Sequence, residues 1–460
     1  MRLRSYSRIA VGLLALFCLA SCASASASGK EQVLYRFQGI PDGAIPVGGV
    51  VFGSGGNLYG ATTEGGAAGS SCDSDTQCGT VFQLTRKNGA WSETLLHVFE
   101  GNLTGDGATP AGGLIVDASS NLYGTTAYGG TGDCLLLGGE VGCGTIYEMT
   151  PPTTPGGSWT ETVIYSFQGG SDGYFPTGNL VFDDAGNLYG ATNYGGGFGV
   201  CDQGIYPYCG TIFELSPPKA KGGAWTEKVL YSFKSGTDGA NPNGNLVFDK
   251  KGALYGTTFF GGNQGCPQDA GVGCGTVFKL SPPAKNGHAW GYEVLYRFND
   301  GGPQQARGDG ENPSANVVLG EGGVINGTTE RGVTADGTLF SLTPPTKRRG
   351  RWKETILHFF GSGRDAVFPG AIVFDSAGNL CGAAPGGSYF RGAIYRLKLL
   401  KKGDSSNYAV VFSFFNSPDG YQPDSGLKES SAGNFYGTTQ LGGTGDCQEG
   451  GCGTVFEFTP

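Results

Sequence analysis

The side chains best suited to chemistry in this 460-residue sequence are aspartates that recur four residues before a proline. Six copies read Asp-Gly-x-x-Pro and a seventh lacks the glycine; the aspartates are Asp42, Asp106, Asp172, Asp238, Asp309, Asp365 and Asp419. Carboxylates gathered on one surface could bind Ca²⁺ or the hydroxyl groups of a ligand. An aspartate fixed in a turn also accepts hydrogen bonds from backbone N–H groups. Turn capping is therefore the alternative to ligand contact for this set.

Three asparagines break the repeat in which these aspartates occur. Asn179, Asn245 and Asn316 stand in consecutive copies at a position where the others have a small residue, namely Gly49, Gly113, Ala371 or Gly426. The amides could hydrogen-bond a sugar or help to ligate a cation, and a turn substitution without function is the alternative. With a neighbouring aromatic ring as a stacking surface, the predicted ligand site comprises Asn179, Asn245, Asn316, Asp172, Asp238, Asp309 and Tyr174.

Residues for catalysis are few. His97 and His358 occupy a repeat position that is tyrosine in other copies, for example Tyr165, so both are predicted to be structural. His288 precedes Trp290 in a linker. The sequence contains no nucleophile elbow, metal-site histidine cluster or phosphate loop. It therefore favours binding over catalysis, with no catalytic residue, no metal site and no cofactor other than the calcium left open above.

The cysteines indicate disulfides. Ten of the 13 form couples just before Gly-Thr-Val or Gly-Thr-Ile, namely Cys72/Cys78, Cys134/Cys143, Cys201/Cys209, Cys266/Cys274 and Cys447/Cys452. Structural zinc needs four closely spaced ligands, and no Cys-x-x-Cys or histidine accompanies these couples. We predict five local disulfides, typical of an oxidising compartment. Cys381 replaces a repeated tyrosine and is predicted to be a buried thiol rather than a nucleophile.

The string Gly-Asn-Leu-Tyr-Gly-Thr-Thr and its variants define the elements that position these residues. Its copies recur with a period of roughly 55–70 residues and lie at Gly56–Thr62, Asn121–Thr126, Gly186–Thr192, Ala253–Thr258, Val324–Thr329, Gly378–Ala384 and Gly433–Thr439. Each unit holds four short strand patterns, and Asp-x-x-Gly-Asn predicts a tight hairpin between the first two. Seven such units predict an all-β, seven-bladed β-propeller with four antiparallel strands per blade.

The two ends of the chain complement each other. The last repeat stops after its third strand at Gly453–Pro460, whereas Glu31–Phe37 is a fourth strand with no first three before it. We predict that the N-terminal strand completes the last blade and closes the ring, which removes the free edges. In such a blade the aspartate connections and the cysteine loops share one face, which we call the stapled face.

The tandem unit Gly-Asn-Leu-Tyr-Gly-Thr-Thr…Gly-Gly…Gly-Thr-Val-Phe resembles the GloVer repeats of bacterial surface proteins with varied anchors. The resemblance covers 31–460 and implies export and anchoring rather than a particular chemistry. The hairpin Val/Phe-Asp-x-x-Gly-Asn-Leu-Tyr is also similar to that of NHL-type propellers and propeller lactonases.

The N-terminus resembles an export signal. Arg2, Arg4 and Arg8 precede an apolar run too short to span a bilayer, and Leu19-Ala20-Ser21-Cys22 resembles the lipobox of bacterial lipoproteins. We expect a signal peptide at 1–21, lipidation of Cys22, a tether at 22–30 and a single propeller at 31–460. Ordinary signal-peptidase cleavage within Ala23–Ser28 is the alternative, which would give a secreted protein.

Charge and composition limit the partners. The formal net charge is −9, and removal of the leader arginines would make the chain more acidic still. Nucleic-acid phosphates bind clustered Lys and Arg, so nucleic acid is excluded as a partner. We predict a monomeric, outer-membrane or cell-surface protein that binds a glycan or protein on the stapled face and meets the membrane only through its lipid. The alternative is a propeller hydrolase or lyase acting on a lactone or polysaccharide, metal-dependent in the lactonase case.

Overall fold

The structure is a computed structural model. It describes residues 29–460 except 67–77, 135–141, 155, 198–208, 221, 263–272, 286–287, 300–307, 333–335, 348–349, 362–364, 388–390, 400–406, 416, 424–425 and 448–449. The described chain forms seven antiparallel sheets ringed around one axis. The predicted seven-bladed, all-β propeller is confirmed.

Blades are numbered along the chain, and their strands run from the channel outwards. Blade 1 contains β2 (Gly43–Phe52), β3 (Leu58–Gly65), β4 (Thr80–Lys87) and β5 (Ala90–Val98). Blade 2 contains β6 (Gly107–Pro110), β7 (Ile115–Val116), β8 (Leu122–Gly129), β9 (Thr145–Thr150) and β10 (Thr160–Ser166). Blade 3 contains β11 (Tyr174–Phe182), β12 (Leu188–Tyr194), β13 (Thr211–Ser216) and β14 (Thr226–Ser232).

The remaining blades repeat this order. Blade 4 contains β15 (Ala240–Pro242), β16 (Val247–Phe248), β17 (Leu254–Phe260), β18 (Thr276–Ser281) and β19 (Gly291–Arg297). Blade 5 contains β20 (Val318–Leu319), β21 (Ile325–Thr329), β22 (Thr338–Thr343) and β23 (Lys353–Phe359). Blade 6 contains β24 (Ile372–Phe374), β25 (Leu380–Ala384), β26 (Ala393–Lys398) and β27 (Asn407–Ser413). Blade 7 contains β28 (Lys428–Glu429), β29 (Phe435–Thr439), β30 (Thr454–Thr459) and β1 (Lys30–Arg36). Short 3₁₀ turns lie at Ser54–Gly56, Gly170–Asp172, Gly236–Asp238, Glu321–Gly323 and Ser417–Asp419.

The ring closes as the sequence predicts. Strand β1 pairs antiparallel with β30, from Lys30 opposite Thr459 to Arg36 opposite Thr454. The first and last strands of the chain therefore share one blade, so neither of them leaves an unpaired edge at that junction.

The hairpin between the two inner strands follows from its aspartate. In blade 3, Asp183 Oδ1 accepts hydrogen bonds from the backbone N–H groups of Ala185 and Asn187, each at 2.9 Å. Gly186 between them has φ +83°, which glycine adopts at no steric cost. The Tyr189 hydroxyl of Leu-Tyr-Gly then donates to Asp183 Oδ2 at 3.0 Å.

A recurrent backbone contact joins neighbouring blades. In each connection into an inner strand, the residue before proline has a positive φ, between 54° and 60°; these residues are Ile45, Thr109, Phe175, Asn241, Asn312, Phe368 and Gln422. The Asn241 N–H donates to the Cys209 carbonyl of the preceding blade at 2.9 Å. A Cβ on Gly210 would lie 2.6 Å from Cδ of Pro242, so the Gly of Gly-Thr must be glycine. The x-Pro motif of one blade contacts the Gly-Thr motif of the preceding blade, and this contact explains why both motifs recur around the ring.

The core is divided among the spaces between sheets. One cluster packs Tyr189 and Leu230 of blade 3 against Leu254 and Phe278 of blade 4, with Trp290 at its edge. Three tryptophans lie against a tyrosine of the preceding blade, at centroid distances of 5.5 Å for Tyr59–Trp159, 6.2 Å for Tyr123–Trp225 and 6.1 Å for Tyr189–Trp290. Aromatic contacts of this kind fix the angle between neighbouring blades.

Candidate functional site

A cavity lined by inner-strand residues lies on the propeller axis. Its volume is about 920 Å³, and inner-strand residues of all seven blades line it. That volume is within the range of small-molecule sites, roughly 300–1,000 Å³. The channel is therefore the first candidate for a ligand site.

Two of the predicted asparagines line this cavity and are held by their oxygens. Asn179 Oδ1 accepts a hydrogen bond from the Gly113 N–H at 2.6 Å, and Asn245 Oδ1 accepts one from the Asn179 N–H at the same distance. Each amide thus links its own blade to the one before it. Among the described residues neither Nδ2 group makes a hydrogen bond. Both amides are fixed in orientation and keep a donor for a ligand.

Asn316 also lines the cavity, but it uses both ends of its amide. Its Nδ2 donates to the Ile372 carbonyl at 3.1 Å, and its Oδ1 accepts from the Ile372 N–H at 3.0 Å. The structure therefore brings the three asparagines to one channel wall but leaves Asn316 occupied by blade 6.

The predicted carboxylates lie elsewhere. Asp172, Asp238 and Asp309 are not among the cavity lining; they sit in the connections between blades. Asp172 Oδ2 accepts from the Tyr165 hydroxyl at 3.0 Å and from the Gln168 N–H at 2.9 Å. Asp238 accepts from the Tyr231 hydroxyl through one oxygen and from the Lys234 N–H through the other, and Asp309 accepts from the Tyr296 hydroxyl and the Asn299 N–H in the same divided way. The geometry fits turn capping, the alternative that the sequence left open, and we do not include these residues in the proposed site.

We call the contact between two blades at such an aspartate a seam, named by its blade numbers. In seam 2/3 the outer strand of blade 3 brings Glu227 next to Asp172, and burial together with the Asp172 charge raises the pKa of Glu227 to about 7. Among the described residues, Glu227 Oε1 and Asp172 Oδ1 are both buried without a hydrogen-bond partner. Burial and the neighbouring negative charge therefore both favour the protonated form of Glu227.

Glutamates at the equivalent position in four other seams are also partly buried. Burial raises their pKa to about 7 in each case, and the residues are Glu31, Glu93, Glu161 and Glu354. Tyrosine replaces glutamate in seams 3/4 and 5/6, where Tyr292 and Tyr408 stack on the ring from the preceding blade, at 3.9 Å and 3.5 Å.

The remaining sequence-predicted aromatic residue is not at the channel. Tyr174 packs with its ring centroid 5.3 Å from that of Tyr194 and does not line the cavity. The lining instead includes Glu330, Phe368 and Gln422, which the sequence analysis did not single out. Phe368 and Gln422 precede the repeated proline, so the variable residue at that position was the signal that could have identified them.

The cysteines follow the predicted pattern where they are described. The disulfides Cys134–Cys143 and Cys447–Cys452 are confirmed. Cys78, Cys209 and Cys274 are disulfide-bonded, whereas their predicted partners Cys72, Cys201 and Cys266 lie outside the described residues, so that pairing stays a prediction. Cys381 is free and buried. Cys22 and the leader also lie outside the described residues.

Within the described part of the chain, no helix has both the length and the apolar character needed to cross a membrane.

Comparisons with solved structures concern the fold. A catalytically inactive virginiamycin B lyase from Staphylococcus aureus with quinupristin is 13% identical, covers 94% of this chain and 99% of its own, and has a TM-score of 0.47. A luciferin-regenerating enzyme is 11% identical, with coverages of 94% and 95% and a TM-score of 0.43. A gluconolactonase from Xanthomonas campestris is 13% identical, with coverages of 74% and 82% and a TM-score of 0.37. Likenesses this distant carry no argument about activity.

Comparisons of sequence are more specific. No curated protein matches this chain. The family model described as the Gloeobacter/Verrucomicrobia repeat matches residues 23–199 and 134–336, which together make up more than half of the chain. The resemblance to GloVer repeats is confirmed, and this protein belongs to the Gloeobacter/Verrucomicrobia repeat family.

Proposed function

We propose that this protein is an exported, lipid-anchored binding propeller that takes a polar, uncharged ligand, such as the end of a glycan, into its channel from the stapled face. One observation carries the proposal. Asn179 and Asn245 line a cavity of about 920 Å³, their Oδ1 atoms are held by the backbone of the neighbouring blade, and their Nδ2 donors have no partner among the described residues.

Other lining groups extend this donor set. The Asn243 amide and the Ser314 hydroxyl line the same wall on blades 4 and 5 and make no hydrogen bond to the described residues. Phe368, 39% exposed, offers an apolar ring at the same cavity. Sugars are recognised by fixed polar groups that pair with their hydroxyls, combined with an aromatic surface against the apolar face of the ring. A glycan matches this combination better than an anion or an apolar ligand does.

The direction of β1 supports an orientation in which the stapled face points away from the membrane. Lys30 at its start pairs with Thr459, and Arg36 at its end pairs with Thr454, next to the Cys447–Cys452 loop. The chain therefore enters the propeller on the face opposite the staples. A lipid on Cys22 would be separated from Lys30 by a segment that extends at most roughly 30 Å. Such an anchor would keep the opposite face near the bilayer and present the channel mouth outwards.

Substitutions that change only the donors test the channel site. Asn179→Asp with Asn245→Asp keeps both Oδ1 acceptors, and so keeps the links between blades, but removes both Nδ2 donors. We expect this double variant, and Asn243→Ala separately, to lose about tenfold or more of the binding of the parent on an array of neutral glycans. Asn57→Asp is the matched control, because it makes the same change in a hairpin outside the cavity lining.

Two results would reject this function. A folded parent that binds no glycan on the array leaves the channel without the proposed ligand. Binding by the double variant equal to that of Asn57→Asp places the ligand elsewhere. Release of cleaved sugar by the parent would favour the hydrolase or lyase alternative.

The anchor is tested separately. When the full chain is expressed in a bacterium fed radiolabelled palmitate, we expect label in the parent and none in Cys22→Ala, with the variant in the soluble periplasmic fraction. Equal labelling of both proteins, or none in either, would contradict lipidation at Cys22 and favour ordinary signal-peptidase cleavage.

A further inference from the structure

Seam 1/2 contains a combination of side chains that differs from the other seams in the described chain. His97 comes from the outer strand of blade 1, Asp106 from the connection and Glu161 from the outer strand of blade 2. His97 Nε2 lies 3.0 Å from Asp106 Oδ2. One ligand atom from each of the three residues lies within 4.8 Å of the others. An imidazole and two carboxylates therefore converge on one point.

The third side chain of this group is not otherwise used. Glu161 Oε1 is buried and has no hydrogen-bond partner in the described residues, and the same is true of the equivalent glutamates in the other seams, so His97 is the group that distinguishes seam 1/2 from them. An acceptor oxygen in that state is costly unless something satisfies it. In contrast, backbone groups orient Asp106: the Glu100 N–H donates to Oδ2 at 2.8 Å and the Gly107 N–H to Oδ1 at 2.6 Å. Such outer contacts fix ligand carboxylates in metal sites.

We propose that seam 1/2 binds a divalent first-row transition-metal ion, zinc in the first instance, through His97, Asp106 and Glu161. One nitrogen and two carboxylate oxygens form a set that zinc accepts, whereas Ca²⁺ takes six to eight oxygen ligands. Bonds of about 2.0–2.2 Å at the tetrahedral angle place two ligand atoms of one zinc ion roughly 3.3–3.6 Å apart. The three ligand atoms, which lie within 4.8 Å of one another, therefore have to approach by up to about 1.5 Å through side-chain rotation to close the site. The ion would neutralise the charge of the two carboxylates that meet in this seam.

The ion would also have a mechanical role. Its three ligands belong to two blades and their connection, so the bound ion cross-links blades 1 and 2 close to the stapled face. The side chains of His97 and Asp106 are 22% and 10% exposed, so the seam is open to solvent on one side. Three protein ligands leave a fourth position for water or a ligand atom. This site is distinct from the channel, and none of its residues lines the cavity.

The other seams supply substitutions that the fold already accepts. Seam 2/3 has Tyr165 where seam 1/2 has His97, and seam 5/6 has Tyr408 where it has Glu161. His97→Tyr thus copies the composition of one existing seam, and Glu161→Tyr copies that of another. The reverse change, Tyr408→Glu, would give seam 5/6 the full His–Asp–Glu set, because His358 already lies 2.9 Å from Asp365.

The experiment titrates the full chain, purified and freed of metal with chelator, with Zn²⁺ by calorimetry and with Co²⁺ by visible absorption. All proteins carry Cys381→Ala, so the free thiol cannot contribute. We expect one equivalent bound by the parent, with a higher unfolding temperature in the presence of metal. His97→Tyr and Glu161→Tyr should each weaken binding about 100-fold or more, and Tyr408→Glu should raise the stoichiometry to two. Circular dichroism of the metal-free variants checks that they are folded.

Two outcomes would overturn the site. A folded parent that binds neither ion contradicts it directly. One equivalent bound by both tyrosine variants as tightly as by the parent shows that the ion sits elsewhere.

Discussion

Blades 3 and 6 occupy equivalent places in the ring but stabilise the same backbone with different side chains. In blade 3 the hydroxyls of Thr192 and Thr211 lie 2.9 Å apart, fully buried between the second and third strands. Blade 6 has Ala384 and Ala393 at these two positions, and both are buried. Both members of the pair have changed together, which avoids a buried hydroxyl without a partner.

The hairpins of the two blades differ in the same way. Tyr189 of blade 3 donates to Asp183 and packs against Phe248 and Trp290 of blade 4. In blade 6 the tyrosine is Cys381, and the next blade offers Glu429 where blade 4 has Phe248. The aromatic residue and its aromatic neighbour are therefore absent together. Residues that contact each other therefore change together from one blade to another, rather than singly.

The seams that precede the two blades show a chemical difference. Seam 2/3 holds Glu227 beside Asp172, and burial raises the pKa of both carboxyl groups. In seam 5/6 burial also opposes ionisation of Asp365, but hydrogen bonds from His358 and Tyr408 outweigh it and lower the pKa of this carboxyl. Burial in seam 2/3 therefore favours protonated carboxyl groups, whereas the hydrogen-bond donors of seam 5/6 favour a charged one.

The largest expected effect comes from removal of the seam carboxylates. Asp365 accepts from Tyr408, His358 and two backbone N–H groups. We expect Asp365→Ala to lower the free energy of unfolding by about 3 kcal/mol, because buried donors lose their acceptor. Asp172→Ala should cost about 1–2 kcal/mol, since it also relieves Glu227. Midpoints of urea unfolding under non-reducing conditions measure both, and equal losses would contradict the distinction between the seams.

The repeat itself made much of the fold predictable. Each blade must bury the same faces, so the Leu-Tyr-Gly and Gly-Thr-Val strings recur, and the spare strand Glu31–Phe37 matches the strand missing after Gly453–Pro460. Hairpin capping by Asp183 depends on residues within six positions and is equally local. Interactions between residues of the same repeat can therefore be predicted from the sequence of a single repeat.

The site was less predictable because its contacts cross between repeats. The sequence identified Asn179 and Asn245 as exceptions, but not that their oxygens would bind the backbone of a neighbouring blade. We expected Asp172 beside these amides, whereas its carboxylate accepts a hydrogen bond from Tyr165 in the seam. His97 was predicted to be structural from its position within one repeat. Only the arrangement of the blades in the ring shows that Glu161 of the next blade lies close to it. Which residues face each other across a seam depends on inter-blade register.

The stability that the two seams contribute should depend differently on pH. The pKa of Glu227 is about 7 in the folded protein and has an ordinary value of 4.5, so its contribution to stability is fully present below about 4.5 and is lost as the pH rises through 7. Because Glu227 is half-exposed, the loss between pH 5 and 8.5 should be about 1 kcal/mol after solvent screening is allowed for. Glu227→Gln removes this ionisation and should unfold at higher denaturant than the parent at pH 8.5 but not at pH 5.

Tyr408→Phe is the matched variant in seam 5/6. It removes the hydroxyl that donates to Asp365 Oδ1 at 2.5 Å and should cost similar stability at pH 5 and pH 8.5, because it adds no group that titrates in this range. The Asp365 contribution itself should be lost only in acid, as the pH falls below 3.8 towards the lowered pKa of the folded state. A Glu227→Gln variant with the same pH dependence as the parent would show that protonation of Glu227 does not stabilise seam 2/3.

The coupling between the two threonine hydroxyls is expected to be a smaller effect. Thr192→Ala and Thr211→Ala should each cost about 1–2 kcal/mol, since each leaves the other hydroxyl buried without its partner. The double variant copies blade 6 and should cost less than the sum of the two, with a coupling of about 0.5 kcal/mol or more. Ala393→Thr in blade 6 is the reverse control and should destabilise the protein. Strictly additive losses would show that the hydroxyls act independently despite their 2.9 Å separation.

The smallest effect should come from the thiol that replaces a tyrosine. Cys381 Sγ lies 3.8 Å from Asp375 Oδ2, a weak contact, whereas the Tyr189 hydroxyl lies 3.0 Å from Asp183 Oδ2 in blade 3. We therefore expect Cys381→Ala to cost less than about 1 kcal/mol and Tyr189→Phe to cost about 1–1.5 kcal/mol. Burial also raises the pKa of Cys381 to about 12, so almost no thiolate exists at pH 8. Because thiolate is the reactive form, the folded protein should resist labelling by a disulfide reagent at pH 8 and react once unfolded. Rapid labelling of the native chain would mean that the hairpin of blade 6 opens readily, and blade 6 would then be the least stable blade of the ring rather than one held by different contacts.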